Sequence, residues 1–300
     1  MTLGGYDPST AELVSITPQK ATEEQICARF LNCRFISHLI YLEGFVRDIL
    51  VIGVSFALGL IDLSVGMGYG FTVTPILILL GYTVTETIPA VLMASFLGGI
   101  LSSLSHHQLG NVHFDFESRA LKMAILMGGI GALGVLLGVS FSFNIPEQYT
   151  QTYIGIITLL SGVFIQYKKQ LSFKFTWLRM TIMGLIGAVN KGLTGGGYGP
   201  VITSGGILSG IDEKAAIAIQ SLSESFVSIV GVLYYWLSGN YILWSLTKNT
   251  AIGVVLSAPL AAYFVKKTDK DDIKKIITII SVIMSAAIIM KAWNLFIFAG

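Results

Sequence analysis

The sequence GMGYG at residues 66–70 recurs as GGGYGP at residues 195–200, and each glycine cluster interrupts a long apolar segment. The shared glycines and tyrosine of the two clusters lie 129 residues apart. About 45 positions keep this register without a gap, which a chance match of glycines would not do, so the pattern predicts an internal repeat. The further matches at this offset are Gly81 with Gly210 and Gly110-Asn111 with Gly239-Asn240.

Composition places the chain in a lipid bilayer. Hydrophobic side chains make up 53% of the 300 residues and charged side chains 12%, whereas about 25% charged is usual in soluble domains. The formal charge of +2 provides no basic surplus for nucleic acid, so no nucleic-acid partner is predicted. Residues 1–25 contain no apolar segment after a basic start, and no cleaved secretory signal is expected. We predict a multi-pass protein of the cell membrane.

Apolar blocks nearly fill the chain, each with at least the roughly 20 residues that a helix needs to cross about 30 Å of hydrocarbon. They predict an all-α integral membrane protein. Its predicted regions are a partly polar leader at 1–48, a first transmembrane repeat at 49–167, a basic cytoplasmic loop at 168–176 and a second transmembrane repeat at 177–300. Within the leader, residues 30–46 are apolar but carry Arg34 and Glu43, so an interfacial or extra helix is expected there and its depth stays open.

The basic loops orient these blocks, because short loops rich in Lys and Arg lie on the cytoplasmic side. The loops at 168–174 and 266–275 are the most basic, and three blocks separate them. Both loops are cytoplasmic only if the glycine-broken block at 177–210 enters the membrane and returns to the same side. The same shape in the first repeat places 81–87 outside. We therefore predict two inverted-topology repeats, each a glycine-broken helix or hairpin followed by three transmembrane helices, an arrangement typical of transporters.

The glycine clusters are predicted to bind a small anion. A short half-helix is expected after each cluster, from Phe71 and from Pro200, and helix N-termini with free amides attract anions. The same glycines also fit a packing interpretation, since each cluster has small residues four apart. The predicted binding residues are Gly66, Gly68, Tyr69, Gly70, Thr74, Asn190, Lys191, Gly195, Gly196, Gly197, Tyr198, Gly199 and Ser204, with the hydroxyl groups of Thr72 and Thr203 as further donors.

Ionisable residues inside membrane spans are rare and are functional candidates. Lys191 precedes the second cluster by four residues, and Asp62 is its repeat counterpart. Two interpretations of Lys191 stay open: it is the counter-charge of the bound anion, or it forms a buried ion pair with Asp62 that stabilises the helix bundle. Glu224, the counterpart of Ser95, is with Asp62 a candidate proton carrier. The alternative for Glu224 is a hydrogen bond to Gln220 or to nearby serines.

No metal, cofactor or catalytic set is predicted. His106, His107 and His113 lack metal-site spacing and are interpreted as interfacial histidines. Cys27 and Cys33 lie outside the repeats and are expected to be free thiols. Neither glycine cluster continues into a phosphate-binding GK[ST] motif, and no nucleophile with a base stands out, so an enzyme is not predicted.

The paired clusters resemble those of the sulfite exporter TauE/SafE family, in which a glycine cluster is followed by a proline in each repeat. The first copy has Pro75 at that place, whereas the second copy has Ser204 there and Pro200 directly after its glycines. The small or hydroxyl pair of the next helix is Ala94-Ser95 in the first repeat and Ser223-Glu224 in the second, where Glu224 departs from the family pattern. The resemblance covers about 49–297. It implies export or uptake of small sulfur-containing anions, with protons as one expected coupling ion.

The predicted function is a secondary transporter that moves a small oxyanion, such as sulfite or an organosulfonate, by alternating access around the glycine breaks. The alternative is an anion channel in which the same breaks form the filter. Expected partners are the small anionic substrate and the lipid bilayer, and the sequence leaves a homo-oligomer open.

Overall fold

The computed structural model describes residues 33–67, 69–167, 175–267, 271–293 and 295. Gly68, Cys27 and the basic segment at 168–174, which figure in the sequence predictions, lie outside the described residues. The chain divides into two compact units, Met1–Arg47 and Asp48–Gly300. The second unit holds both glycine clusters.

All regular structure in the described residues is helical, as the composition predicts. The helices are α1 Cys33–Val65, α2 Gly70–Leu79, α3 Val84–Gln108, α4 Arg119–Ser142, α5 Glu147–Tyr167, α6 Trp177–Thr194, α7 Tyr198–Leu208, α8 Glu213–Leu237, α9 Trp244–Lys267 and α10 Asp271–Ala292. Within the described residues, five segments are long and apolar enough to cross a membrane: Gly44–Val65, Val84–Gln108, Arg119–Ser142, Glu213–Leu237 and Trp244–Val265.

The repeat offset extends to the helix boundaries. α1 and α6 end at positions 129 residues apart, as do α2 and α7, and α3 and α8 correspond at both ends. Glycines with left-handed backbone follow the same offset: they are Gly66 and Gly195, Gly81 and Gly210, and Gly110 and Gly239. Equal helix ends and equal chain reversals show that the two halves of the chain share one succession of local structures.

Side-chain caps fix where the counterpart helices α3 and α8 begin. Thr83 accepts a hydrogen bond from the amide of Glu86, and the Glu86 carboxylate accepts one from the amide of Thr83. At α8, the Asp212 carboxylate accepts from the amide of Lys214 at 3.0 Å. Such caps satisfy amides that have no partner within the helix, so both helices have a defined first turn.

The second glycine-broken segment contains a reversal of direction. In the second half, a Cβ at Gly187 of α6 would lie 3.1 Å from the Tyr198 ring of α7. Further along α7, a Cβ at Gly205 would overlap the Met183 side chain, which lies earlier in α6. The later residue of α7 contacts the earlier residue of α6, which defines an antiparallel pair. α7 therefore folds back along α6.

Counterpart helices from the two halves also run antiparallel. Between α3 and α8, the Ser102 hydroxyl donates to the Ser221 hydroxyl at 3.3 Å, and a Cβ at Gly231 would lie 3.0 Å from Leu92. Between α5 and α10, the Ser285 hydroxyl donates to the Gly155 carbonyl at 2.8 Å. Earlier in α5, Thr152 bonds Trp293, which follows α10. The two halves therefore contact each other through these two pairs of equivalent helices.

Two boundaries differ from the sequence expectation. α2 begins at Gly70 and α7 at Tyr198, so Pro200 is the third helical residue and not the first. Gly197, with φ of 81°, is the residue before α7, and its left-handed backbone allows the helix to start earlier. Pro200 remains within the first turn, where its missing N–H removes no helical hydrogen bond.

Candidate functional site

The two glycine clusters meet in the second unit. A Cβ at Gly70 would lie 1.8 Å from the Gly195 carbonyl oxygen, and one at Gly196 would lie 2.5 Å from the Gly70 carbonyl oxygen. No side chain fits at either distance, so glycine is required for the backbones to approach this closely. Close packing is therefore observed at Gly70 and Gly196. The same contact brings the N-termini of α2 and α7 together.

Left-handed glycines end the two long helices that lead to this contact. Gly66 and Gly195 both have φ of 74°, and the Gly195 amide donates to the Lys191 carbonyl at 2.7 Å. Thr194 fixes the second cluster further, since its hydroxyl accepts from the Gly196 amide at 3.1 Å. The cluster is thus an ordered, buried turn.

Two counterpart threonines, Thr74 and Thr203, contact the opposite cluster in different ways. The Thr203 hydroxyl donates to the Gly66 carbonyl at 2.5 Å. Thr74 lies against Gly195, whose Cβ would be 2.9 Å from the Thr74 hydroxyl oxygen. That hydroxyl is buried and has no hydrogen-bond partner among the described residues. The Gly195 carbonyl instead accepts from the ammonium of Lys191 at 3.2 Å, so the repeat symmetry is broken at this point.

Lys191 is fully buried, and its ammonium forms an ion pair with Glu224. Its ammonium lies 2.7 Å from Glu224 Oε1, 2.9 Å from the Ser95 hydroxyl and 3.2 Å from the Gly195 carbonyl. An ammonium has three donors, and these three acceptors occupy them. Ser95 and Glu224 are each the twelfth residue of a 25-residue candidate span, so the ion pair lies at the middle of α3 and α8.

Glu224 is held from both sides. Its second carboxylate oxygen accepts from the side-chain amide of Gln220 at 2.5 Å, while its first accepts from Lys191. The Gln220 hydrogen bond that the sequence offered as one alternative is formed. Glu224 is 1% exposed, and a buried carboxylate is stable only when such partners compensate for lost hydration.

Asp62 is near the end of α1, and its carboxylate lies at the N-terminus of α2. One carboxylate oxygen accepts from the Thr72 hydroxyl at 2.8 Å and from the Thr72 amide at 3.3 Å. The other oxygen is buried without a partner among the described residues. The ion pair of Asp62 with Lys191 that the sequence left open is therefore not the arrangement found, because Lys191 pairs with Glu224. The first half-helix already binds a carboxylate of its own chain.

The remaining predicted residues divide between the site and the surrounding core. The Asn190 side chain accepts a hydrogen bond from the Tyr153 hydroxyl. Tyr69 and Tyr198 are fully buried in two separate apolar clusters, and the Tyr69 hydroxyl donates to the Thr250 carbonyl at 3.4 Å. Gly199 and Ser204 are buried within α7. No group of three His, Cys, Asp or Glu residues that could hold a metal ion occurs among the described residues.

The sequence was compared with the profiles of known protein families, and the match includes both glycine clusters. The profile of the family described as "Sulfite exporter TauE/SafE" matches residues 51–288, which include both clusters and the three helices α3, α6 and α8 that contribute Ser95, Lys191 and Glu224. The chain belongs to the sulfite exporter TauE/SafE family. TauE/SafE proteins are membrane transporters and not enzymes, so this chain is a multi-pass protein of the bilayer that acts on a small-molecule substrate.

Two proteins of Bacillus subtilis (strain 168) are similar to this TauE/SafE chain. "Probable membrane transporter protein YtnM" is 29% identical over 222 residues, which cover 69% of this chain and 71% of its own length. "Probable membrane transporter protein YdhB" is 23% identical over 239 residues, covering 76% of this chain and 94% of its own length. Both names describe membrane transport.

Sequence reasoning missed two residues of this TauE/SafE structure. Tyr153 gave no signal, because a tyrosine in an apolar helix is unremarkable until its hydroxyl is seen to contact Asn190. Lys291 gave a signal that was passed over: it is an ionisable residue within the apolar block at 274–297. Its ammonium donates to the Ile78 carbonyl near the end of α2.

Proposed function

We propose that this protein is a secondary transporter of a small oxyanion, with the anion held at the meeting point of the two glycine clusters. The observation that carries the proposal is the buried Lys191 ammonium, which bonds the Gly195 carbonyl in the same turn from which α7 begins. A cation and a helix N-terminus then act on the same small volume, and each favours an anion.

Exchange of partners at Lys191 provides the binding step. All three ammonium donors are occupied by Glu224, Ser95 and the Gly195 carbonyl, so an anion binds by replacing one of them. Replacing Glu224 leaves its carboxylate in a buried position without its cation, which is unfavourable unless Glu224 takes up a proton. The unpartnered Thr74 hydroxyl beside Gly195 offers the anion a further donor.

Glu224 is therefore the first proposed proton carrier of the site, and Asp62 is the second. Asp62 differs from Glu224 because its contact is with Thr72 and not with a lysine. Gly66, Gly70, Asn190, Gly196 and Gly197 shape the site through their backbone or through neighbouring side chains. Within the family, a sulfur-containing anion such as sulfite or an organosulfonate is the proposed substrate.

Alternating access between inverted repeats is the proposed mechanism. It is supported by the antiparallel course of the counterpart pairs α3 with α8 and α5 with α10, and by the fold-back of α7 along α6. A fold-back returns the chain to its starting side, as the two basic loops require. Rocking one half against the other around the glycine contact would then open the anion site to each side in turn.

Anion binding to purified protein tests the proposal. Sulfite, sulfate, sulfonates and carboxylates are compared for the rise in melting temperature that they cause, because a ligand of the folded state stabilises it. We expect a sulfur oxyanion to stabilise the wild type and not the Lys191→Met/Glu224→Gln variant, which removes both charges together. Equal stabilisation of both proteins contradicts the site. Saturable flux in proteoliposomes distinguishes the transporter from the channel alternative, which predicts ohmic currents.

A further inference from the structure

A cavity with both polar and apolar lining lies at the end of α2, away from the glycine contact. Its volume is about 340 Å³, which is in the range of small-molecule sites. Its lining comes from the turn after α2, the beginning of α5 and the end of α10, and consists of Gly81, Tyr82, Thr83, Glu147, Gln148, Gln151, Lys291 and Ala292. We name it the Lys291 cavity.

Lys291 is half-buried in this lining, and its ammonium donates to the Ile78 carbonyl. Among the described residues, one of its three donors is used, in that bond, so two are left for a ligand. The carbonyl end of a helix carries partial negative charge, which repels an anion. The ammonium of Lys291, which reaches from α10 to the last turn of α2, offsets that charge, and the cavity wall becomes favourable for a negative ligand.

Glu147, the carboxylate of the lining, is engaged by the protein. Its Oε1 atom accepts from the Val84 amide at 3.0 Å and from the Gln151 side-chain amide at 3.1 Å. Its negative charge therefore faces the N-terminus of α3, where it is stabilising. The lining carries one cation and one carboxylate. Two donors oppose the charge of Glu147, whereas Lys291 makes one hydrogen bond among the described residues, so we expect an anion to bind at Lys291.

The cavity lies on one side of the proposed anion site. It contacts α3 at its start, and Ser95 lies 11 residues further along the same helix, which corresponds to about 16 Å of helix. The turn at 81–83 belongs to the loop that the positive-inside rule places outside. The repeat counterpart of Lys291 is Gly162, so the first half has no lysine at the equivalent position.

We propose that the Lys291 cavity is an outer binding site that collects the transported small anion before it reaches Lys191. This inference rests on the proposed function for the identity of the ligand, and on the cavity itself for its anion preference. Lys291 is the residue that determines this preference, and it acts from one side of the membrane only.

The accessibility of the cavity to anions is measured with a cysteine at an exposed lining position. In a Gln148→Cys variant with Cys27→Ser and Cys33→Ser, the rate of modification by an anionic sulfonate thiol reagent is divided by the rate for a neutral reagent. We expect Lys291→Gln to lower this ratio about 3- to 10-fold, as the loss of one nearby charge predicts. Lys291→Arg should keep it. A ratio unchanged by Lys291→Gln overturns the proposal.

Sulfite uptake into right-side-out and inside-out membrane vesicles gives the second readout. Lys291→Gln should raise KM several-fold from the outer side and leave KM from the inner side unchanged. Equal changes from both sides indicate a structural role of the Ile78 bond and also overturn the proposal. If the wild type moves no sulfite, the proposed substrate is wrong, whereas the thiol-reagent ratio still decides whether the cavity attracts anions.

Discussion

Lys191 and Glu224 form a buried ion pair with 2.7 Å between the ammonium nitrogen and the carboxylate Oε1. The pair joins α6 of one glycine-broken hairpin to the middle of α8, and Ser95 on α3 completes it at 2.9 Å. A buried pair of this kind contributes little net stability, but removal of one partner is costly because the other charge stays uncompensated. The pair is thus suited to a site where a ligand exchanges with one partner.

The first prediction separates the stability of this pair from its binding role. Lys191→Met leaves Glu224 without its cation and should lower the free energy of unfolding by about 3 to 5 kcal/mol. Lys191→Met/Glu224→Gln removes both charges and should regain most of that loss while still failing to bind sulfite. Denaturant unfolding in detergent measures both variants. Wild-type stability of Lys191→Met would show that Glu224 either has another charge partner or takes up a proton when the lysine is absent.

The second prediction concerns the glycine contact. Gly70→Ala would place a Cβ 1.8 Å from the Gly195 carbonyl oxygen, so the two glycine clusters must move apart. We expect loss of transport and a lower melting temperature. Gly129→Ala is the matched control, since its Cβ would meet nothing within 4 Å in the interior of α4. Gly129→Ala should stabilise the helix by about 1 kcal/mol and keep transport. Full transport activity of Gly70→Ala would contradict the close contact between the two clusters.

The third prediction uses the broken symmetry of the counterpart threonines. Thr203→Val removes a hydroxyl that bonds the Gly66 carbonyl and should cost about 1 to 3 kcal/mol of folding stability. Thr74→Val removes a buried hydroxyl without a described partner, so stability should stay the same or rise. If Thr74 donates to the anion, the same variant weakens sulfite binding. Melting temperature and binding affinity are measured on both proteins, and unchanged affinity of Thr74→Val excludes that hydroxyl from the site.

The repeat could be predicted from the sequence because equal glycine positions impose equal chain reversals. A positive φ is accessible to glycine at little cost, so the match of Gly66 with Gly195 and of Gly81 with Gly210 already fixed where helices end. The ends of α3 and α8 follow from caps that are also readable locally, at Thr83 and Asp212. Such features depend on a few neighbouring residues and need no knowledge of tertiary packing.

The partner of Lys191 could not be predicted in the same way. The offset relates Lys191 to Asp62 as equivalent positions, but equivalent positions in two halves of a chain are not thereby in contact. Glu224 and Ser95 both reach Lys191 because α3 and α8 pack antiparallel and cross near their middles. That crossing is a property of the packed bundle. Lys291 was missed for a related reason, since its contact with Ile78 joins α10 to α2 across 213 residues.

The fourth prediction concerns proton coupling at Glu224. The charged and titratable groups around it are Lys191 on α6, Asp62 on α1 and Tyr198 on α7. When an anion pairs with Lys191, an ionised Glu224 lacks its cation, so proton uptake accompanies binding and transport should rise as the pH on the loading side falls. Methanesulfonate is the suitable substrate, because a sulfonate stays ionised throughout and any pH effect belongs to the protein.

Glu224→Gln should keep methanesulfonate binding and lose both the pH dependence and the ability of a pH gradient to drive uptake. Asp62→Asn is the comparison, since it retains a side-chain acceptor for the Thr72 hydroxyl and removes the second carboxylate. If gradient-driven uptake persists in Glu224→Gln but disappears in Asp62→Asn, then Asp62 is the proton carrier and Glu224 is not. Persistence in both variants would exclude these two carboxylates as carriers, and the anion would then move with another ion.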